Sequence, residues 1–343
     1  MTAPTAFPET PWLAPLGAAY GAAAWLRVGL YRRGVLRQVR LDGPVISVGN
    51  LAVGGTGKTP VVARIAEMLR DDGAAVAVLS RGYGGSFRGD ALVVGDGEKV
   101  LADAAEAGDE PVMLARALPR VVVAVGADRA SVGRFVETRF GPRVFVLDDG
   151  FQHLRLARDL DVLCIDAEHP GLRPLPAGPL REFPSAARRA DAVFLTQSDR
   201  VDETALYRLE VRFGAERTHR VRRRILGFFA RDGRPAPTPA RPFLVAAIAA
   251  PFRFESDVSR LAPSVSGGLF FRDHHAFTVP DVRRILSEAE SAQADALVTT
   301  EKDATRLPEI ALGLPMLVLR IAAEIADEER FRERLRAATR RAA

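Results

Sequence analysis

The chain has 343 residues, 48% of them hydrophobic, and a formal net charge of +5. That length can bury a large core in one big domain or two, and the composition is that of a globular protein, neither disordered nor polytopic in a membrane. Cys164 is the only cysteine, which excludes an intrachain disulfide and cysteine-rich zinc sites, and with five histidines a structural metal is not expected.

The first distinctive segment is oily. Trp12 to Leu26 carries no charge, and Arg27, Arg32, Arg33, Arg37 and Arg40 follow at or beyond its end. It is short for a span of about 20 apolar residues, and no basic residue precedes it as in a secretory signal. A helix buried against the protein's own core is one reading and a true span another. The reading adopted is an interfacial helix, with Trp12, Tyr20 and Trp25 at headgroup level and the arginines beyond.

Apolar runs then alternate with helical stretches. Candidate strands are Val45–Val48, Ala75–Leu79, Val121–Val125, Val144–Leu147, Val162–Ile165 and Ala192–Leu195. Continuous apolar strands separated by helices predict an α/β fold, a mainly parallel sheet with helices on both faces. Functional residues then belong beyond the C-terminal ends of the strands. Near residue 220 the pattern changes: "RVRRRILGFF" reads as an extended arm, and the Pro- and Gly-rich "ARDGRPAPTPARP" as a turn or linker. Further runs at Phe243–Ile248, Gly268–Phe271, Ala296–Val298 and Met316–Leu319 make a second, smaller α/β lobe, and the tail reads as an amphipathic helix. The expected division is 1–40 for the membrane-associated helix and its basic flank, 41–220 for the main domain, 221–242 for the arm, 243–322 for the smaller lobe and 323–343 for the last helix.

A phosphate loop lies at the end of the first strand. The pattern G-x-x-x-x-G-K-[ST] fails at its first position, where Ala52 stands, but "GGTGKT" survives as Gly54, Gly55, Thr56, Gly57, Lys58 and Thr59. The glycines let backbone amides converge on phosphate oxygens, and the helix that opens there points its positive end at the same anion. Lys58 reaches the terminal phosphates and Thr59 can ligate magnesium. About 90 residues later, "RVFVLDDGFQH" is a strand ending in Asp148 and Asp149, either of which can hold magnesium directly or through water. His153 can orient a carboxylate or a phosphate there.

Other polar strings stand at element ends. Asp109 and Glu110 in "AGDEPVML" open a helix, so Asp109 is either a cap or a general base for a substrate hydroxyl. "SRGYGG" offers Arg81 and Tyr83, and "PAGPLRE" offers Arg181 and Glu182. The smaller lobe adds His274 and His275 in "FFRDHHAF", and Glu301, Lys302 and Asp303 in "VTTEKDATRLP". Adjacent histidines rarely converge on one ion, so a polar contact across the lobe cleft is the better reading of that pair. "TQSD", Thr196 to Asp199, is either a base-recognition string or an ordinary turn. The basic cluster Arg220, Arg222, Arg223 and Arg224 comes with no helix-turn-helix or single-strand-binding signature, so no nucleic-acid partner is expected.

Taken together, "VGNLAVGGTGKTP", "SRGYGG", "GDEP", "LDDGFQHLRLARDLDVLCIDA", "LPAGPLRE", "DHHAF" and "TTEKDA" resemble the tetraacyldisaccharide 4'-kinases, the lipid A kinases of Gram-negative bacteria. The strings run in order from Val48 to Ala304, and as an ordered set they are highly specific. The resemblance implies a phosphate-loop NTPase-like fold and transfer of the γ-phosphate of ATP to the 4'-hydroxyl of a tetraacyldisaccharide 1-phosphate. It implies magnesium, a lipid substrate, no obligate protein partner, and attachment to the cytoplasmic face of the inner membrane by the N-terminal helix. By the same resemblance Lys58 and Thr59 carry over as the loop lysine and magnesium threonine. Asp109 carries over as the general base supported by His274, Asp148 and Asp149 as the acidic pair at magnesium, and Arg181 and Glu182 as residues near the reacting phosphates.

The chain departs from the family pattern where "VAAIAAPFRFESD" replaces a string ending in Pro-Glu-Arg-Phe, and where Leu154 follows His153 in place of a second histidine. Two other classes share the loop: a phosphotransferase acting on a soluble molecule, and a nucleotide-driven switch in which Asp109 would only cap its helix.

Overall fold

The computed structural model describes residues 10–54, 57–171, 173–308 and 313–340. The strands are β1 Val45–Asn50, β2 Val76–Ser80, β3 Leu92–Gly95, β4 Val121–Val125, β5 Val144–Asp148, β6 Leu160–Asp166, β7 Ala192–Thr196, β8 Thr218–Ala230, β9 Pro242–Ala246, β10 Gly267–Phe270, β11 Ala296–Thr300 and β12 Met316–Ile325. The helices are α1 Ala14–Arg32, α2 Lys58–Asp71, α3 Ala104–Ala107, α4 Asp109–Ala117, α5 Arg129–Phe140, α6 Glu203–Phe213, α7 Pro251–Leu261, α8 Val279–Ser291, α9 Glu301–Ala304 and α10 Glu328–Arg340.

All the strands join one sheet in the order β10-β9-β11-β12-β8-β7-β6-β1-β5-β2-β4-β3. From β7 to β4 every pairing is parallel, and the fully buried runs of β1, β2, β4, β5, β6 and β7 explain why: apolar on both sides, they need cover on both faces. On one face α2, α4 and α10 pack over Ile46, Val78 and Phe194. On the other, α5 covers Phe145 and Leu147, and α6 covers Leu163 and Leu195.

β8 joins the two parts of the sheet. Thr218–Arg220 pair with β7 in parallel, and Val221–Ala230 pair with β12 in antiparallel. The stretch read from the sequence as an arm is therefore a ladder strand on both edges. β12 runs on to Ile325, where the helical tail was expected to have begun, because Ile321–Ile325 pair with Ile225–Val221 along β8. α10 then returns to the first half, where Phe331 packs 4.6 Å from Phe194 and Glu328 pairs with Arg64 at 2.6 Å.

α1 docks by its glycines and leaves its large side chains outside. A Cβ on Gly17 would stand 2.9 Å from the Pro174 carbonyl, and one on Gly21 would stand 2.6 Å from the Phe183 ring. Thr10 amide donates to Ala177 O at 2.9 Å, and Arg27 Nη1 to Gln152 O at 3.3 Å. Trp12 (78%), Trp25 (67%) and Leu16 (59%) are exposed. Neither a buried core helix nor a free one fits this: the glycine stripe binds the protein and the aromatic stripe faces away. Among the described residues no helix is long and apolar enough to cross a membrane. Gly21→Leu should undock α1 at a cost of about 1–3 kcal/mol, the usual range for overpacking. A lowered thermal midpoint with faster proteolytic release of residues before Arg27 would bear this out, and unchanged values would contradict it.

Candidate active site

The phosphate loop leaves β1, the strand between β5 and β6. Its approach is laddered to the "PAGPLRE" segment: Val53 amide donates to Pro179 O at 2.8 Å and Arg181 amide to Leu51 O at 2.6 Å. Gly54 and Gly57 have φ values of 103° and 71°, left-handed conformations that favour glycine. No side chain caps α2, so its first amides remain available to an anion. Gly55 and Thr56 lie outside the described residues. Lys58 and Thr59 are the first two residues of α2.

The acid pair stands on the neighbouring strand. Asp148 is opposite Val48 of β1, almost fully buried, and accepts a hydrogen bond from Ser80 Oγ at 3.1 Å. Burial, then Glu110 and Asp149, push its carboxyl up to about 7, against the pull of Lys58. Asp149 adopts a left-handed φ of 53°, a costly conformation outside glycine, which turns its carboxylate toward Lys58 and Arg181. Lys58 Nζ lies 3.5 Å from Oδ1, and Arg181 Nη1 donates to Oδ2 at 2.8 Å. Burial works against ionisation of Asp149, but these two cations outweigh it and hold its pKa below the ordinary value. Asp149 Oδ1 is buried without a hydrogen-bond donor. An orphaned carboxylate oxygen beside a second buried carboxyl is a donor set that suits a hard divalent cation such as magnesium.

Asp109 is the first residue of α4 and is 4% exposed. Gly108 before it has φ 90°, and a Cβ there would meet the Tyr83 carbonyl at 2.5 Å, so only glycine lets the "SRGYGG" turn close against this helix start. Oδ1 accepts from the Glu110 amide at 3.0 Å. Oδ2 is met from the other half of the sheet by His274 Nδ1 at 3.2 Å, Arg306 Nε at 3.5 Å and Lys302 Nζ at 3.9 Å. These are ion-pair distances without hydrogen-bond alignment, and Oδ2 has no well-placed donor. Lys302 Nζ is also 3.0 Å from His274 Nε2. An ammonium only donates, so a neutral His274 accepts at Nε2 and carries its proton on Nδ1, toward Asp109.

The family resemblance paired His274 with Asp109, and the sequence named Lys302, but Arg306 was missed. The signal was there in the spacing, since Lys302 and Arg306 are four residues apart in "TTEKDATR". Asp303, fully buried, accepts from the Ala247 amide at 3.0 Å and from Thr300 Oγ1 at 2.8 Å, and pairs with Arg306, which it aims.

Glu182 is held by Arg189 and Gln152. Arg189 grips it at 2.6 and 2.9 Å, and Gln152 Nε2 donates to it at 3.1 Å. Gln152 Oε1 in turn accepts from Arg181 at 3.3 Å, so Glu182 steadies Arg181 at second hand. His153 sits 3.7 Å from Asp128; burial and then Arg129 depress its pKa to about 4, leaving it neutral. His275 is bound to Asp281 at 2.9 Å and stacks on Phe271, away from Asp109. Gln197, in a left-handed turn after β7, stands with Nε2 3.8 Å from where a Cβ of Gly57 would be. The basic cluster is partly neutralised: Arg220 pairs with Glu203 and Glu210, and Arg223 with Asp257.

Asp109 is thus a buried carboxylate approached by a histidine from the other half of the sheet, and Glu110 after it acts electrostatically on Asp148 at the phosphate loop. The fold and site are those of a phosphate-loop kinase. The family profile described as tetraacyldisaccharide-1-P 4'-kinase (LpxK) matches residues 10–340. The tetraacyldisaccharide 4'-kinase of Anaeromyxobacter sp. strain Fw109-5 is 45% identical over 335 residues, covering 94% of this chain and 90% of the relative. That of Geobacter metallireducens is 42% identical over 303 residues, covering 86% and 88%. The solved structure titled apo-form LpxK from Aquifex aeolicus in complex with ATP superposes with a TM-score of 0.80 at 30% identity, covering 95% of this chain and 98% of that one. The chain belongs to the tetraacyldisaccharide 4'-kinase family.

Asp148 makes stability depend on pH. Its folded pKa of about 7 exceeds the ordinary 3.8, so the folded state binds the proton more tightly and this group lowers stability as pH rises between those values. In cation-free protein, Asp148→Asn should narrow the loss of unfolding free energy from pH 5 to pH 8 by ~1 kcal/mol or more. Denaturant titrations at the two pH values measure it, and an unchanged difference would contradict the assignment.

Proposed function

We propose that this chain transfers the γ-phosphate of ATP to the 4'-hydroxyl of a tetraacyldisaccharide 1-phosphate. The observation that carries the reading is the Asp109–His274 contact, at the start of the helix whose Glu110 acts on the phosphate-loop Asp148. Lys58 and the amides at the start of α2 hold the β- and γ-phosphates. Thr59, Asp148 and Asp149 would hold magnesium, which would supply neutralisation of the phosphate charge. The 4'-oxygen attacks the γ-phosphorus, the bond to the β–γ bridging oxygen breaks, and ADP leaves. The hydroxyl proton passes to Asp109 Oδ2, the oxygen with no aligned donor. Arg181, steadied by Glu182 through Gln152, keeps Asp149 ionised. Positioning and charge supply most of the rate.

The two parts of the sheet act as lobes in this reading, since the base and its histidine come from different ones. The exposed face of α1 lies on the membrane, at the cytoplasmic side of the inner membrane, with the acyl chains staying partly in the bilayer. Its support is the outward Trp12, Leu16 and Trp25 together with Arg27, which reaches the Gln152 carbonyl inside the site. The test is an assay of purified chain with labelled ATP and tetraacyldisaccharide 1-phosphate in detergent, which should yield label on the distal sugar. Asp109→Ala should lower kcat about 10²–10⁴-fold with little change in ATP affinity. Absence of product in the wild type would sink the assignment, and near-normal turnover of the variant would remove the base.

A further inference from the structure

The loop after β6 opens on "DAEH", Asp166 to His169, and three of its side chains converge. One ligand atom from each of Asp166, Glu168 and His169 lies within 4.8 Å of the other two. The set shares no residue with the acid pair of the phosphate loop, which follows β5 on the opposite side of β1.

Asp166 is the last residue of β6 and is 8% exposed. Its Oδ1 accepts from the Glu168 amide at 2.9 Å. Among the described residues no side chain donates to it and no cation pairs with it. A buried carboxylate left without a cation is costly. Asp166 is not sealed off, however. With His169 it lines a recess of about 360 Å³ that opens to solvent, walled by Leu51, Cys164, Leu180 and Phe213. Glu168 is already oriented: Arg253 Nη2, from α7 in the other half of the sheet, donates to its Oε2 at 2.7 Å, which leaves Oε1 for a second partner. Metal-ligating carboxylates are held by outer partners in this way. His169 is exposed, and among the described residues its imidazole makes no hydrogen bond.

The donor set selects the ion. Magnesium and calcium take oxygen ligands, whereas one imidazole with two carboxylates suits a borderline divalent ion such as zinc. A four-coordinate ion with bonds of about 2.0–2.2 Å holds its ligands roughly 3.5 Å apart, so modest rotation of Glu168 and His169 closes the set. Water from the recess would complete the coordination.

We propose that Asp166, Glu168 and His169 form a site for one zinc-like divalent cation, separate from the magnesium site, at the seam where Arg253 meets the first half of the sheet. The inference goes beyond the phosphotransfer reading and does not depend on it.

The test is a titration of metal-free, untagged full-length protein with zinc against a chromophoric chelator, in excess magnesium. One zinc should bind per chain and raise the thermal midpoint. His169→Ala, at an exposed position, and Asp166→Asn should each weaken that binding about tenfold or more, at least the cost of losing an outer partner. His274→Ala, at the Asp109 cluster, should keep it. Should Asp166→Asn fail to fold, His169→Ala decides alone. No zinc binding to the wild type, or wild-type affinity in folded His169→Ala, would overturn the proposal. Loss of the bound zinc in His274→Ala but not in His169→Ala would overturn it as well.

Discussion

Asp109 is a buried carboxylate whose ion-pair partners, among the described residues, all come from the other half of the sheet. His274, Lys302 and Arg306 reach it across the cleft, yet none is aligned to hydrogen-bond Oδ2. One oxygen of the carboxylate is thereby left without an aligned donor, the geometry that the proposed general base requires. Much of the surrounding structure serves this contact. Gly108 lets the "SRGYGG" turn close behind α4, and α9 presents Lys302 with Arg306 just beyond it, where Asp303 keeps Arg306 in line.

Charge is organised on the donor side in a comparable way. The α2 amides are uncapped, Lys58 leans on Asp149, and Asp148 is so deeply buried that its carboxyl holds a proton near neutrality. A chain of contacts then links this side to α1: Asp149 to Arg181, Arg181 to Gln152, and the Gln152 carbonyl to Arg27. A helix whose outer face is aromatic and leucine-rich is thus tied within a few contacts to the acids of the phosphate loop.

Much of the fold was legible because the strands are buried on both faces and read as unbroken apolar runs, as in "VVVAV" and "VFVLD". The strings at their C-terminal ends marked the site for the same reason, since polar residues directly after such runs have few structural uses. What stayed hidden was set by tertiary pairing. Ile321 to Ile325 have the composition of a helix, but β8 offers a ladder and overrides propensity. The return of α10 to the first half depends on Phe331 finding Phe194, which no local pattern encodes. Arg189 and Arg306 were missed because each acts on an acid rather than on substrate. α1 was read by its hydrophobicity alone, and its glycine stripe, which decides which face is free, becomes meaningful only against Pro174 and Phe183.

The account turns on whether His274 acts through Asp109. The direct measurement is a double-mutant cycle on kcat with Asp109→Ala, His274→Ala and the two combined. If the pair is one unit, the double variant turns over no more slowly than Asp109→Ala alone. Losses that multiply across the cycle would show two independent contributions and contradict the central claim.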